Sequence, residues 1–129
     1  MQEMRKKYIS FMAQDSTLLY SHLDESDMDN KIRYLSFSKK LKVNNIDLTK
    51  VSTNFESALS GGEKQKVAIV NTLLKMSELI IMDEPTSAMD KESIQALVDI
   101  LLELKKGRII IVVTHSKELI NIADLVITL

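Results

Sequence analysis

Apolar side chains fall unevenly along the chain, and from Glu78 onward they resolve into distinct elements. Leu79-Ile80-Ile81-Met82, Ile109-Ile110-Ile111-Val112-Val113 and Leu125-Val126-Ile127 are short apolar runs rich in β-branched residues. Such runs predict strands buried on both faces, the habit of parallel sheets. Between the first two, Ile94, Leu97, Val98 and Leu101 recur at helical spacing, with Asp90 as N-cap, Lys105 and Lys106 in the last turn and Gly107 just beyond. A shorter helix, opened by Ser116 and carrying Leu119, Ile120 and Ala123, separates the second and third runs. The order strand, helix, strand, helix, strand is what right-handed parallel crossovers produce, so the expected class is α/β.

The first half follows a different pattern. Tyr8-Ile9-Ser10-Phe11-Met12 predicts a strand, but residues 18–51 are polar and mostly helical in flavour. They suggest a small helical insert in which Ile32 and Leu35 supply the packing face and Asn44-Asn45 a turn. Beyond Gly61 and Gly62, the residues Val67, Val70, Leu73 and Leu74 form the apolar stripe of another helix.

Composition narrows the choice of function. With 129 residues the chain has room for one modest domain with an apolar core. A net charge of −1 gives no broad field for nucleic acid or anionic lipid. The absence of cysteine removes disulfides, thiolate catalysis and cysteine-based zinc sites, and fits a reducing compartment. No targeting segment is evident, and the longest apolar stretch, Ile109 to Val113, is far shorter than the roughly 20 residues that span a bilayer.

Three stretches carry candidate chemistry. In Leu59-Ser60-Gly61-Gly62-Glu63-Lys64-Gln65-Lys66, two glycines open a helix whose free N–H groups and dipole favour an anion. Ser60 and Glu63 equally fit a capping box with no ligand at all. The strand Leu79-Ile80-Ile81-Met82 ends in Asp83 and Glu84, at the end of a parallel sheet where ligands collect. There Asp83 can hold magnesium and Glu84 can polarise a water, or the pair is simply two surface acids. Asp90 closes the following connector, where a helix-cap role alone is enough to account for it. His115, at the end of the next strand, is placed to contact a γ-phosphate or to lie on the surface.

Taken in order, these stretches resemble the ATP-binding domain of ABC transporters. Residues 59–66 resemble the signature loop, residues 79–84 the Walker B strand, Ser87-Ala88-Met89-Asp90 the D-loop and His115 the switch histidine. Ser10-Phe11-Met12-Ala13-Gln14-Asp15 resembles the Q-loop. The resemblance implies a P-loop NTPase-like core with an incomplete parallel sheet and a small helical subdomain: residues 1–15 end the first part of the core, 16–76 form the helical subdomain and 77–129 complete the core. It further implies Glu84 and His115 as catalytic groups and Asp83 and Gln14 at magnesium. Asp90 and Gln14 would lie at ATP, and Ser60, Gly61, Gly62 and Glu63 would act in trans on the ATP of a second, head-to-tail domain. Three positions depart from the family's usual residues: Glu63, Lys66 and Asn71, the last implying a weakened contact inside the helical subdomain.

One family element is missing from the sequence. Walker A needs G-x-x-x-x-G-K-S/T, and the three glycines, Gly61, Gly62 and Gly107, do not have that spacing. The expectation is a truncated ATP-binding subunit, inactive alone, whose intact form uses ATP and Mg2+, pairs with a second nucleotide-binding domain and docks on a transporter membrane domain at the cytoplasmic face. The segment 54–58 leans toward exporters. An SMC-type DNA-repair ATPase is the competing class, although no heptad repeat precedes the signature and no nucleic-acid partner is expected. A non-catalytic remnant that pairs with an intact ATPase is a third. Without Walker A, self-association of the chain through its exposed strand edge is expected.

Overall fold

The computed structural model describes residues 8–14, 22–46 and 59–129. Its centre is a three-stranded parallel sheet in the order β1-β2-β3, formed by β1 (Ile9–Met12), β2 (Leu79–Asp83) and β3 (Ile109–Val113). Register is continuous across it: Ile9, Leu79 and Ile109 are neighbours in one row, and Phe11, Ile81 and Ile111 in another. Among the described residues four helices accompany the sheet: α1 (Met28–Lys40), α2 (Gly61–Leu74), α3 (Lys91–Leu104) and α4 (Lys117–Asn121).

Each helix begins where the local chemistry satisfies its free N–H groups. Asp27, Ser60, Asp90 and Ser116 cap α1 to α4 in turn. Helix α3 has the expected N-cap and stripe but ends at Leu104, so Lys105 is its C-cap and Lys106 lies beyond it instead of in the last turn, ahead of Gly107 with a φ of +90°. Its apolar stripe, Leu97, Val98, Ile100 and Leu101, enters the core beside Val67, Ile69, Val70, Leu73 and Leu74 of α2. From β2, Ile80 and Met82 complete that core with no exposed surface. The burial of this layer is the main force holding sheet and helices together.

Only one face of the sheet is covered among the described residues. Ser10, Met12, Ile80 and Met82 point to the helices, whereas Phe11 is 63% exposed and Ile109 65%. The prediction of strands buried on both faces therefore holds for one face of this sheet. The predicted strand at 125–127 is also absent. Those residues extend beyond α4 without joining the sheet, and Leu125, Val126 and Ile127 are exposed. A strand exists only where another backbone can take its hydrogen bonds, and among the described residues no such neighbour flanks this segment.

Helix α1 presents a different face from the expected one. Ile32 and Leu35 are both more than half exposed, while Asn30, Phe37 and Ser38 are buried, with Tyr34 and Leu41 on the same side. Polar docking explains the choice. The Asn30 side-chain amide donates to the carbonyls of His22 and Leu74, at 3.1 and 3.3 Å, and its Oδ1 accepts from the Asp24 N–H at 2.8 Å. Leu74 is the last residue of α2, so Asn30 satisfies a carbonyl that the helix leaves free. Asn71 reinforces this joint by accepting from the His22 N–H at 2.6 Å. The position expected to weaken a contact in the helical subdomain instead makes one. The predicted turn at Asn44-Asn45 is present.

Candidate functional site

The site is built at the carboxyl end of β2. Asp83, half-buried, is the last residue of that strand. Glu84 then turns the chain with a φ of +46°, a left-handed conformation unusual for a residue with a side chain. Three hydrogen bonds hold it there: its N–H donates to the Val113 carbonyl at 2.8 Å, and its own carbonyl accepts from Gln65 Nε2 at 3.1 Å and from the Ser87 N–H at 3.4 Å. The result aims the side chain sideways along the sheet end. Glu84 Oε1 lies 3.5 Å from Nε2 of His115, the second residue beyond β3. The histidine is almost fully exposed, whereas the carboxylate is largely shielded.

Residues 85–90 lead from Glu84 into α3. Pro85 and Thr86 are buried, and the Met89 N–H donates to the Thr86 carbonyl at 3.1 Å. Asp90 ends the connector as the α3 N-cap, accepting from the Ser93 N–H at 2.8 Å. Hydrogen bonds from the Ser93 hydroxyl and N–H hold the Asp90 carboxyl below its usual range.

The start of α2 packs against this connector. A Cβ on Gly62 would lie 2.7 Å from the Ala88 carbonyl oxygen, so the close approach requires glycine there. A Cβ on Gly61 would meet nothing. Ser60 and Glu63 form the reciprocal capping box: Ser60 Oγ accepts from the Glu63 N–H at 3.1 Å and Glu63 Oε1 from the Ser60 N–H at 3.2 Å. The Ser60 hydroxyl still has a proton to donate, and the exposed helix start faces outward. Gln14 lies in the turn after β1, exposed. Gln14, Asp83 and His115 thus stand at the ends of three adjacent parallel strands.

Gln65 was not among the candidate residues, yet it touches the site most extensively. It is buried, and its amide makes three hydrogen bonds into the 84–88 segment. The one available signal was a polar residue on the stripe shared with Ala68 and Ile69, which periodicity reads as core.

The two acids and the Gln14 amide supply hard oxygen donors. Among the described residues no group of three His, Cys, Asp or Glu converges to hold a metal alone. The donor set of Asp83, Glu84 and Gln14 is of the hard oxygen kind that suits magnesium, which commonly takes one or two carboxylates and completes its shell with water and phosphate oxygens.

The family model for the ABC transporter matches residues 1–87. The chain belongs to the ABC transporter family, as an ATP-binding domain. Among this ABC domain's relatives, the ATP-dependent lipid A-core flippase of Haemophilus influenzae is 46% identical over 68 residues, 53% of this chain and 12% of the flippase. The methionine import ATP-binding protein MetN of Streptococcus thermophilus is 33% identical over 106 residues, 81% of this chain and 28% of that protein. The structure of an ATP binding subunit of an ABC transporter superposes with a TM-score of 0.69 at 26% identity, covering 86% of this chain and 49% of the other. The ABC domain described here therefore spans less than half of each of these relatives. Its parallel sheet and helices are part of an ABC ATPase core, as the resemblance implied. The relatives in hand are transporters, and the DNA-repair alternative gains no support from them.

Proposed function

We propose that this chain supplies the Walker B, switch-histidine and signature parts of an ATP-hydrolysing transporter subunit, and that the phosphate cradle comes from residues outside this sequence. The observation that carries the reading is the Glu84 carboxylate held 3.5 Å from His115 Nε2 at the ends of β2 and β3. In the parallel α/β architecture that edge is where a nucleotide binds.

Bound ATP with Mg2+ would supply the reacting phosphate and the charge neutralisation. Asp83 and Gln14 would hold the metal. Glu84, shielded but open toward His115, would orient an attacking water and accept its proton, while His115 donates to the γ-phosphate. The N-terminus of α2, with Ser60, Gly61, Gly62 and Glu63, would meet the ATP of a second domain in trans, where free N–H groups favour an anion. Asp90 would border the same interface. Phosphoryl transfer depends mostly on positioning and charge stabilisation, so a chain without the phosphate cradle is inactive alone.

The whole transporter would place this domain at the cytoplasmic face of a membrane, docked on a membrane domain and paired with a second nucleotide-binding domain. No described helix is long and apolar enough to cross a membrane. The higher identity to the flippase than to the methionine importer supports an exporter.

The test is complementation. Mixing the chain with a polypeptide that carries the Walker A half of an ABC domain should restore ATP hydrolysis, and Glu84→Gln should abolish it. Equal turnover with and without the Glu84 carboxylate would overturn the reading.

A further inference from the structure

The three hydrogen bonds of Gln65 form a link between parts of the molecule that are far apart in sequence. Its Nε2 donates to the Glu84 carbonyl at 3.1 Å and to Ser87 Oγ at 3.0 Å, and its Oε1 accepts from the Ala88 N–H at 2.9 Å. An uncharged amide is the side chain that offers two donors and an acceptor on one plane, so the pattern matches glutamine's full capacity. The second contact of the same helix is steric: Gly62 lies against the Ala88 carbonyl. Helix α2 therefore touches the connector twice, one turn apart, at its first turn and at Gln65.

Glu84 is where this contact reaches the site. Its left-handed conformation is strained for a residue with a Cβ and persists only where surrounding groups determine it. Of the two Glu84 backbone groups, the N–H is fixed by β3, through Val113, and the carbonyl by Gln65 at 3.1 Å together with the Ser87 N–H at 3.4 Å, Ser87 being itself tied to Gln65 through its hydroxyl. The direction of the carboxylate toward His115 thus depends on where α2 stands. We propose that Gln65 is a positioning residue that transmits displacement of the signature loop at Ser60 to Gly62 into the orientation of the Glu84 carboxylate. An α-helix moves as a rigid unit over one turn, and whatever occupies the α2 N-terminus acts on Glu84 through this amide. The inference rests on the proposed catalytic role of Glu84 for its significance, but the mechanical link is testable without nucleotide.

The experiment is hydrogen–deuterium exchange of the full chain, read by mass spectrometry on peptides covering 84–90, 61–74 and 109–113. In Gln65→Leu, exchange across 84–90 should accelerate about tenfold, the effect of losing about 1.4 kcal/mol of hydrogen bonding, while 109–113 stays within about twofold. Gln65→Glu retains the acceptor for Ala88 and should recover part of the protection. Coupling is then read from Gly62→Ala. By NMR, this change should shift the Glu84 amide and the His115 imidazole C–H resonances in the otherwise native chain, and it should leave them in place when Gln65 is also leucine. Unchanged exchange at 84–90 in Gln65→Leu, uniform acceleration of all peptides, or equal Gly62→Ala shifts in both backgrounds would each overturn the proposal. Loss of the catalytic reading would instead appear as retained hydrolysis in the complemented Glu84→Gln enzyme, with the exchange result untouched.

Discussion

The carboxylate of Glu84 reaches His115 from a backbone held in the left-handed region, so the acid and the histidine at the ends of two neighbouring strands meet at 3.5 Å. The Glu84 side chain is not placed by its own strand alone. The Val113 carbonyl fixes one side of the Glu84 residue, and Gln65 with the Ser87 N–H fixes the other.

In an enzyme completed by a Walker A half, Glu84→Gln should lower turnover by about 10²–10⁴, the usual contribution of a general base, with ATP retained in the closed dimer. Ser60→Arg should instead prevent closure, because a bulky cation would occupy the α2 N-terminus. Single-turnover hydrolysis and gel filtration with ATP separate the two effects. A Glu84→Gln enzyme that stayed within about threefold of wild type would remove the assigned role.

The isolated chain should not bind magnesium ATP tightly. The α2 start and the β2 carboxylates leave the β- and γ-phosphates without a cradle of N–H groups or a lysine. Titration calorimetry should show no saturable heat below about 1 mM, and a micromolar dissociation constant would contradict it.

Stability should fall unevenly along α1. Phe37→Ala removes a buried ring and is expected to cost about 3–5 kcal/mol, while Ile32→Ala, on the exposed side, should stay within about 0.5 kcal/mol. Urea midpoints read the difference. Equal losses would mean that α1 packs on its Ile32 and Leu35 face, as its sequence suggests.

That contrast shows what the sequence can and cannot convey. Helix α3 was legible because Asp90, the stripe from Ile94 to Leu101 and Gly107 all agree on its ends. β2 and β3 were legible as apolar runs, and Asp83, Glu84 and His115 as their terminal residues. The docking face of α1 was not, because Asn30 turns a polar residue inward to satisfy backbone groups of two other segments. Hydropathy scores such a residue as surface. The tail at 125–127 has a strand's composition but lacks a neighbour among the described residues, and pairing is a property of two segments. Gln65 escaped notice because its value lies in three partners that the linear sequence scatters over residues 84–88.

Acid should weaken the fold in a window set by His22. Burial, and secondarily the charge of Lys75, lower the His22 pKa below 6.5. The unfolded chain then takes up its proton at higher pH than the folded chain. Stability from this source is complete above about pH 6.5 and is lost as pH falls toward the lowered folded value. The depressed carboxyls, Asp24, Asp90 and Glu118, act in the lower carboxylate range. Denaturation series between about pH 8 and pH 5 should show the loss in wild type and a flatter profile in His22→Gln. Matching profiles would remove His22 as the cause.

The edge of β3 should make the chain associate. Among the described residues it pairs only with β2, and Ile109, Ile111 and Val113 are exposed beside it. Light scattering after gel filtration should find dimers or larger species at tens of micromolar, and Ile111→Lys should shift the population toward monomer. A monomer in wild type at that concentration would defeat the claim.

The left-handed Glu84 sets two demands on one position against each other. Glycine would occupy a φ of +46° without a Cβ penalty and should raise stability by about 1 kcal/mol, yet it would remove the acid that faces His115. Valine or isoleucine would fail on both counts, being branched at the carbon the conformation crowds. A sequence tuned for folding alone would drift toward glycine or asparagine here. On the proposed catalytic role, the glutamate trades local stability for chemistry, and this corner of the fold becomes the place where robustness and activity are hardest to improve together.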